Sequence, residues 1–197
     1  MHQSVRDAFI TVTAPIDGMV NHMYCDNNRK VVAGIGIILP DATAAQQFRW
    51  RWKDTNKRAT AKEIAAEWQA IHYNGTLGLP GRSSAQYAPL ARLMLPNKEI
   101  FRSAHDRMHL AESKIKALAK DYDRWPADAQ LAGIQLVLGY MLTIELIEAL
   151  IEQDFAGAAE LLYDVDPRSV LVKHLLVNAN TVIKTGFNKS KLLPLAH

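Results

Sequence analysis

The spacing of hydrophobic positions changes several times along the chain, and each change predicts an element. Residues 3 to about 16 carry Val5, Phe9, Ile10 and Val12, which predicts a first helix ending near Asp17-Gly18, with Pro15 restricting its last turn. Two strand-like pieces follow, around Met23–Cys25 and Val31–Ile37, and the polar run Asp26-Asn27-Asn28-Arg29-Lys30 between them predicts a hairpin turn. Val31, Val32, Ile35 and Ile37 supply the returning strand with β-branched side chains, which suit a pleated, half-buried surface. In Phe48-Arg49-Trp50-Arg51-Trp52-Lys53 aromatic and basic residues alternate, so a strand there turns the aromatics to one face and the cations to the other. Such a strand is either a half-buried edge or an aromatic and cationic wall for a sugar or a partner protein.

Helical spacing dominates the rest. Thr60-Ala61-Lys62-Glu63 has the spacing of a capping box and predicts a helix through Glu67, Trp68 and Ile71, with Ile64, Trp68 and Ile71 on its packed face. From Tyr73 to Pro89 the chain is rich in Gly, Ser and Pro, which predicts a long surface loop bordering a groove between lobes. Asn97 is placed to cap a helix from Lys98 to about Lys120, with Ile100, Phe101, Ala104, Met108, Ala111, Ile115 and Leu118 facing inward. The longest apolar stretch, Leu131 to Ile144, is interrupted by Gln135 and Gly139 and followed by Glu145, Glu148 and Glu152. That length fits a buried core helix better than a membrane span. Tyr163 to Arg168 reads as a loop and Ser169 to about Lys184 as a further helix. The expected class is α+β, mostly helical: one domain over residues 1–197, with a hairpin lobe at about 17–60 and a helical lobe at about 97–186.

Composition narrows the function classes. A chain of 197 residues that is 49% hydrophobic can bury one sizeable core, or two small lobes sharing a helix. Its net charge of +3 suits an ordinary solvated surface or attraction to an anionic polymer such as a cell wall. No Lys/Arg-rich block of the kind that binds nucleic acid is present, so no nucleic-acid partner is expected. The single cysteine, Cys25, precludes an internal disulfide, fits synthesis in the cytoplasm and reads as packing. His105 and His109 form an i, i+4 pair without the Glu of a zinc-protease pattern, so neither a metal nor another cofactor is expected. The first ten residues lack the apolar core of a signal peptide. A wall or periplasmic site of action therefore implies another route, such as a secretion apparatus, a phage particle or lysis.

The densest chemistry lies between Ile16 and Leu39. Asp17-Gly18 follows the predicted helix, Tyr24 and Asp26 make a Tyr-x-Asp step, and Gly34-Ile35-Gly36 closes the hairpin. This frame resembles the active-site segment of phage-type lysozymes, and most closely the lysozyme-like modules of bacterial antibacterial effectors, which share the inserted Thr-x-x-Glu-Ile helix seen here at Thr60 to Ile64. The resemblance resumes at Trp125-Pro126, where Pro126 to Ala132 is similar to the Pro-x-x-x-Gln-x-Ala opening of the family's central helix. It continues at Leu150 to Ala159, similar to a helix pair joined at an Asp-aromatic step, and spans Asp17 to about Gly186.

What the resemblance implies is a lysozyme-like fold, a small hairpin lobe and a helical lobe with a cleft between them, acting on the glycan strands of peptidoglycan. Two carboxyl groups carry that chemistry, one donating a proton to the leaving oxygen and the other activating water. The family's acid is Glu and stands here as Asp17; the second acid, nine residues on, is Asp26; the water-holding Thr, six further, is Val32. The residue after Gly-x-Gly, often His or Asn in relatives, is Ile37, and the groove asparagine of the family's Phe-Asn-x-Gly tetrad is Val137. Asp17 and Asp26 are thus the implied catalytic pair, and Tyr24, Val32 and Val137 the implied substrate-binding positions. Asp in place of Glu withdraws the acid by roughly 1 Å, a misplacement that can cost about a hundredfold in rate, so the implied muramidase is weak.

The alternative is a catalytically silent lysozyme-like fold that serves as a protein-interaction or glycan-binding module, with a secretion-system or immunity protein as its partner. Each residue also has a bland reading. Asp17 either donates a proton or satisfies backbone groups at a helix end, Asp26 either acts as the base or opens the turn as an Asx cap, and Tyr24 either packs or touches substrate.

Overall fold

A computed structural model describes residues 1–77 and 83–195 and divides into two compact units. One is Asp17–Ala104; the other joins Met1–Ile16 to His105–His197. Helix predominates over two small antiparallel sheets, which is the α+β, mostly helical class expected.

In Asp17–Ala104 the chain forms β1 (Val20–Cys25), β2 (Val31–Gly34) and β3 (Ile37–Ile38), antiparallel in that order. The sequence predicted a two-stranded hairpin. A third strand exists because Gly34 and Gly36 take φ of +61° and +62°, reversing the chain so that Ile37 and Ile38 pair back on Ala33 and Val32. Then come α2 (Ala42–Gln46), β4 (Arg51–Trp52), α3 (Ala61–Leu77), α4 (Ser84–Tyr87) and β5 (Leu93–Met94), with β5 antiparallel to β4. The capping box forms as read: Thr60 N–H donates to Glu63 Oε2 at 2.7 Å, and Glu63 N–H to Thr60 Oγ1 at 3.3 Å. Glu67 carries a charge into the interior, and its two oxygens accept from Leu93 N–H at 2.8 Å and Arg92 N–H at 3.1 Å, tying β5 to α3.

Two expectations fail in this unit. Of the alternating Phe48–Lys53 segment only Arg51 and Trp52 are strand, and Trp50 is fully buried with its indole N–H donating to Ala45 O at 2.8 Å. Trp50 therefore belongs to the core, while Phe48 and Trp52 are half-buried, so the three do not make one exposed aromatic face. The loop predicted from Tyr73 is helical through Leu77, because α3 continues past Asn74-Gly75, and α4 follows at Ser84–Tyr87. Residues 78–82 of that loop lie outside the described residues.

The other unit contains α1 (Gln3–Asp17) as far as Ile16, and α5 (Asn97–Leu118) from His105 onward. It also contains α6 (Ala127–Leu138), α7 (Ile144–Ile151), α8 (Phe155–Glu160) and α9 (Pro167–Thr185). Every residue of α6 from Ala127 to Leu136 is buried, and α9 packs on both α6 and α8. The apolar stretch predicted as one helix to Ile144 stops at Leu138, because Thr143 caps a new helix, accepting from Leu146 N–H at 3.3 Å. Asp154 caps α8 and Asp166 caps α9, the latter in a reciprocal box with Ser169. On α5 the predicted inner face holds for Met108, Ala111 and Ile115, whereas Leu118 is 43% exposed; Phe101, in the other unit, is 38% exposed. Among the described residues no helix is long and apolar enough to cross a membrane.

A polar chain runs through this core. Gln135 Nε2 donates to Thr13 Oγ1 at 2.7 Å, and Arg168 Nη1 donates to Gln135 Oε1. Gly139, just past α6, makes room for it: a Cβ there would come within 2.6 Å of Arg168 Cδ. Gln135→Leu removes an acceptor of a buried guanidinium and a donor to a buried hydroxyl, so unfolding free energy should fall by about 2–4 kcal/mol in urea titration. A loss below about 0.5 kcal/mol would contradict the network's role.

Burial holds the His22 imidazole below its ordinary pKa; the hydrogen bond to Ser84 O at 2.9 Å opposes that shift, and Lys53 reinforces it. The unfolded chain therefore binds more protons than the folded one between the folded pKa and about 6.5. Stability carried by His22 is complete above about pH 6.5 and is lost as pH falls through the folded pKa. The urea midpoint of the wild type should drop between pH 7.5 and 5 by more than that of His22→Gln.

Candidate active site

Four of the implied residues share one stretch of the Asp17–Ala104 unit. Asp17 ends α1, and Gly18 at φ +74° turns the chain into β1. The β1–β2 register pairs Tyr24 with Val32 and Cys25 with Val31, after an irregularity between Val20 and Tyr24. Directly paired residues send their side chains to the same face, so Tyr24 and Val32 are cross-strand neighbours.

Asp26 closes the turn. Its Oδ1 accepts from Asn28 N–H at 2.9 Å and Lys30 N–H at 2.8 Å, and its own N–H donates to Lys30 O at 2.9 Å. Arg29 sits at φ +60°, a conformation this tight closure imposes. The Asx-cap reading is therefore true of one carboxylate oxygen. Two amides pin that oxygen, so the turn restricts how the Asp26 side chain can rotate.

Tyr24 reports where the charges are. Its half-buried phenol is held above its ordinary pKa first by burial, then by the negative charges of Asp26 and of Asp17. Asp17 precedes β1 and Asp26 follows it, and both raise the phenol's pKa less than burial does. Cys25, next to it, is buried, and its thiol is raised by burial and by Asp26 against the lowering effect of Arg29. It stays protonated and packs, as the sequence suggested.

The remaining positions are apolar. Val32 and Ile37 are each 5% exposed, and the Cδ1 of Ile37 occupies the space where a Gly34 Cβ would point, at 2.5 Å. Val137 belongs to the other unit, where it lines an apolar groove of about 480 Å³ with Leu118, Leu136, Tyr140 and Leu142 beside Lys114. Among the described residues no three His, Cys, Asp or Glu side chains are grouped to hold a metal ion. Sequence reading missed the cross-strand partnership of Tyr24 with Val32. The turn length between Cys25 and Val31 was the available signal, since loop length sets register.

Two substitutions separate the structural half of Asp26 from the rest. Asp26→Asn keeps an acceptor oxygen for the two turn amides and should leave stability within about 0.5 kcal/mol, whereas Asp26→Ala orphans both and should cost about 1–3 kcal/mol. Equal melting curves for the two variants would show that the turn does not depend on this carboxylate.

Comparison with known proteins gave no matching family model, no matching curated protein and no matching solved structure, so a functional reading rests on the residues and geometry just described.

Proposed function

We propose that this chain is a peptidoglycan-directed, lysozyme-like protein that hydrolyses the glycan strand weakly, with Asp17 as the acid and Asp26 as the base. The observation that carries the reading is the hairpin itself, which pairs Tyr24 with Val32, follows Asp17 through the Gly18 turn and fixes Asp26 by two turn amides. In the inverting scheme the Asp17 carboxyl protonates the glycosidic oxygen as the bond to the sugar breaks, while Asp26 takes a proton from the attacking water. Two features weaken it. The Asp17 side chain is one methylene short of the family's Glu, and Val32, next to Tyr24, offers no hydroxyl to orient the water.

A second reading has its own support. Val32 and Ile37 are buried and apolar, and Val137 lines an apolar groove, which suits a catalytically silent fold that binds a protein such as an immunity or secretion-system component.

Restoring the family residues decides between them. Asp17→Glu returns the reach of the acid and Val32→Thr returns a hydroxyl, so the double variant should release more muropeptide from purified sacculi than either single variant. The gains should be non-additive because both groups act on one transition state. A buried Thr without a partner costs about 1–3 kcal/mol, so circular dichroism and a melting curve come first. A folded double variant that releases no more than wild type rejects the hydrolase in favour of the binding module.

A further inference from the structure

Charge is divided unevenly along the chain. Asp17–Ala104 holds twelve Lys and Arg against seven Asp and Glu, whereas the remaining segments hold eleven against thirteen. Much of the excess gathers on one ribbon. After β4 the chain turns, with Asn56 N–H donating to Trp52 O and Trp52 N–H to Lys57 O, each at 2.9 Å, and it returns so that Arg58 stands across from Arg51 in an antiparallel bridge. Opposed residues of an antiparallel pair share a face with Cβ atoms about 4.5–5.5 Å apart, so the two arginines leave one face of the ribbon; Arg51 Nη1 also donates to Asn56 O at 2.8 Å, which leaves its other N–H groups for a ligand.

Both are exposed. Asp54, in the turn between them, accepts from Thr55 N–H at 2.7 Å, and the other carboxylates are engaged too: Glu63 in the Thr60 cap, Glu67 with the Arg92 and Leu93 amides, and Glu99 with Arg102 at 2.7 Å. Arg49, two residues before Arg51, has a side chain 72% exposed and only a 3.9 Å approach to Glu99. Like charges directly opposed weaken a ladder, and the Arg51 hydrogen bond to Asn56 O works against that repulsion. An anionic partner reverses that sign.

The partner's chemistry follows from what accompanies the cations. Trp50 is buried and Trp52 is half-buried with the Arg92 guanidinium 5.5 Å from its ring, so the ribbon offers no open aromatic platform of the kind single-stranded nucleic acids stack on. From Arg49 to Lys62 no large apolar side chain is exposed, so nothing is present to enter a lipid surface. Paired guanidinium forks match phosphate oxygens. We propose that the Arg51–Arg58 ribbon docks a phosphodiester-bearing polymer of the cell wall. The wall as its location rests on the function proposed above; the cationic ribbon does not.

Full-length protein is cosedimented with purified Gram-positive sacculi that retain their phosphodiester polymers, and with the same sacculi stripped of them by hydrofluoric acid. Wild type should bind the intact sacculi about tenfold or more tighter, and Arg51→Gln/Arg58→Gln should lose that advantage and reduce the slope of log affinity against log salt by about two. Lys184→Gln/Lys189→Gln, an equal charge change in the other unit, should bind as wild type. The double Arg variant loses both a repulsion and the Arg51 hydrogen bond to Asn56 O, so a circular-dichroism spectrum like wild type's and a melting temperature well above the assay temperature separate lost binding from lost folding, and Arg51→Lys/Arg58→Lys, which keeps the charge, should keep most of the binding. Equal binding to intact and stripped sacculi, or binding to a single-stranded oligonucleotide as tight as to intact sacculi at the same salt, overturns the proposal. Muropeptide release from the stripped sacculi, measured in parallel, tests the hydrolytic reading alone, so either reading can fail without the other.

Discussion

Everything at the candidate site depends on the register of one antiparallel pair. With Tyr24 opposite Val32, the phenol and the branched side chain share a face, and Asp26 falls at the turn, where two amides take its Oδ1. A slip by one residue would send Tyr24 to the other face and part Asp26 from those amides. The register is fixed at both ends of β2. Asp26 clamps the five-residue turn on one side, and the Gly34-Ile35-Gly36 reversal, with positive φ at both glycines, clamps the other. Between those clamps β2 is buried throughout, so a slipped strand would also expose its apolar set.

The two units handle interior polarity in the same way. Each admits a few polar side chains and satisfies them with backbone or with one another. Glu67 is matched to two consecutive amides of β5, and Gln135 links Thr13 to Arg168. Asp128, wholly buried in the first turn of α6, accepts from Asn178 Nδ2 and Leu193 N–H at 3.2 Å each, which ties the segment after α9 to the central helix. Burial still raises its pKa, so these contacts offset only part of the desolvation. Such groups contribute specificity of arrangement more than net stability.

The site and the cationic ribbon both contain residues placed at some cost to the fold. Asp17 puts a carboxylate at the C-terminal end of α1, the end of the helix dipole that disfavours negative charge. Arg51 and Arg58 put two positive charges across from each other. They contrast with the helix starts at Thr60, Thr143, Asp154 and Asp166, where the side chain caps the helix and the residue type follows from local structure.

The sequence by itself determined what is local. Caps, turn residues and the switch from alternating to helical spacing act within a few residues, so the first helix, the hairpin, the Thr60 box and the helix after Asn97 were legible, as was the mostly helical α+β class; the last helix was read only from Ser169, whereas it begins at Pro167 behind the Asp166 cap. The candidate residues Asp17, Tyr24, Asp26 and Val32 could be nominated from sequence because they lie within sixteen residues of one another in a single motif. Tertiary structure decided whatever depends on a distant partner. Trp50 looks like a wall residue until Ala45 O takes its indole N–H; α3 runs through Asn74-Gly75 where composition predicted a loop; Gly139 ends α6 as a glycine because Arg168, from α9, needs the space. Alternation along Arg49–Lys53 could not reveal that Arg58 would lie opposite Arg51, since a cross-strand neighbour is fixed by the turn between them and by no property of either residue alone.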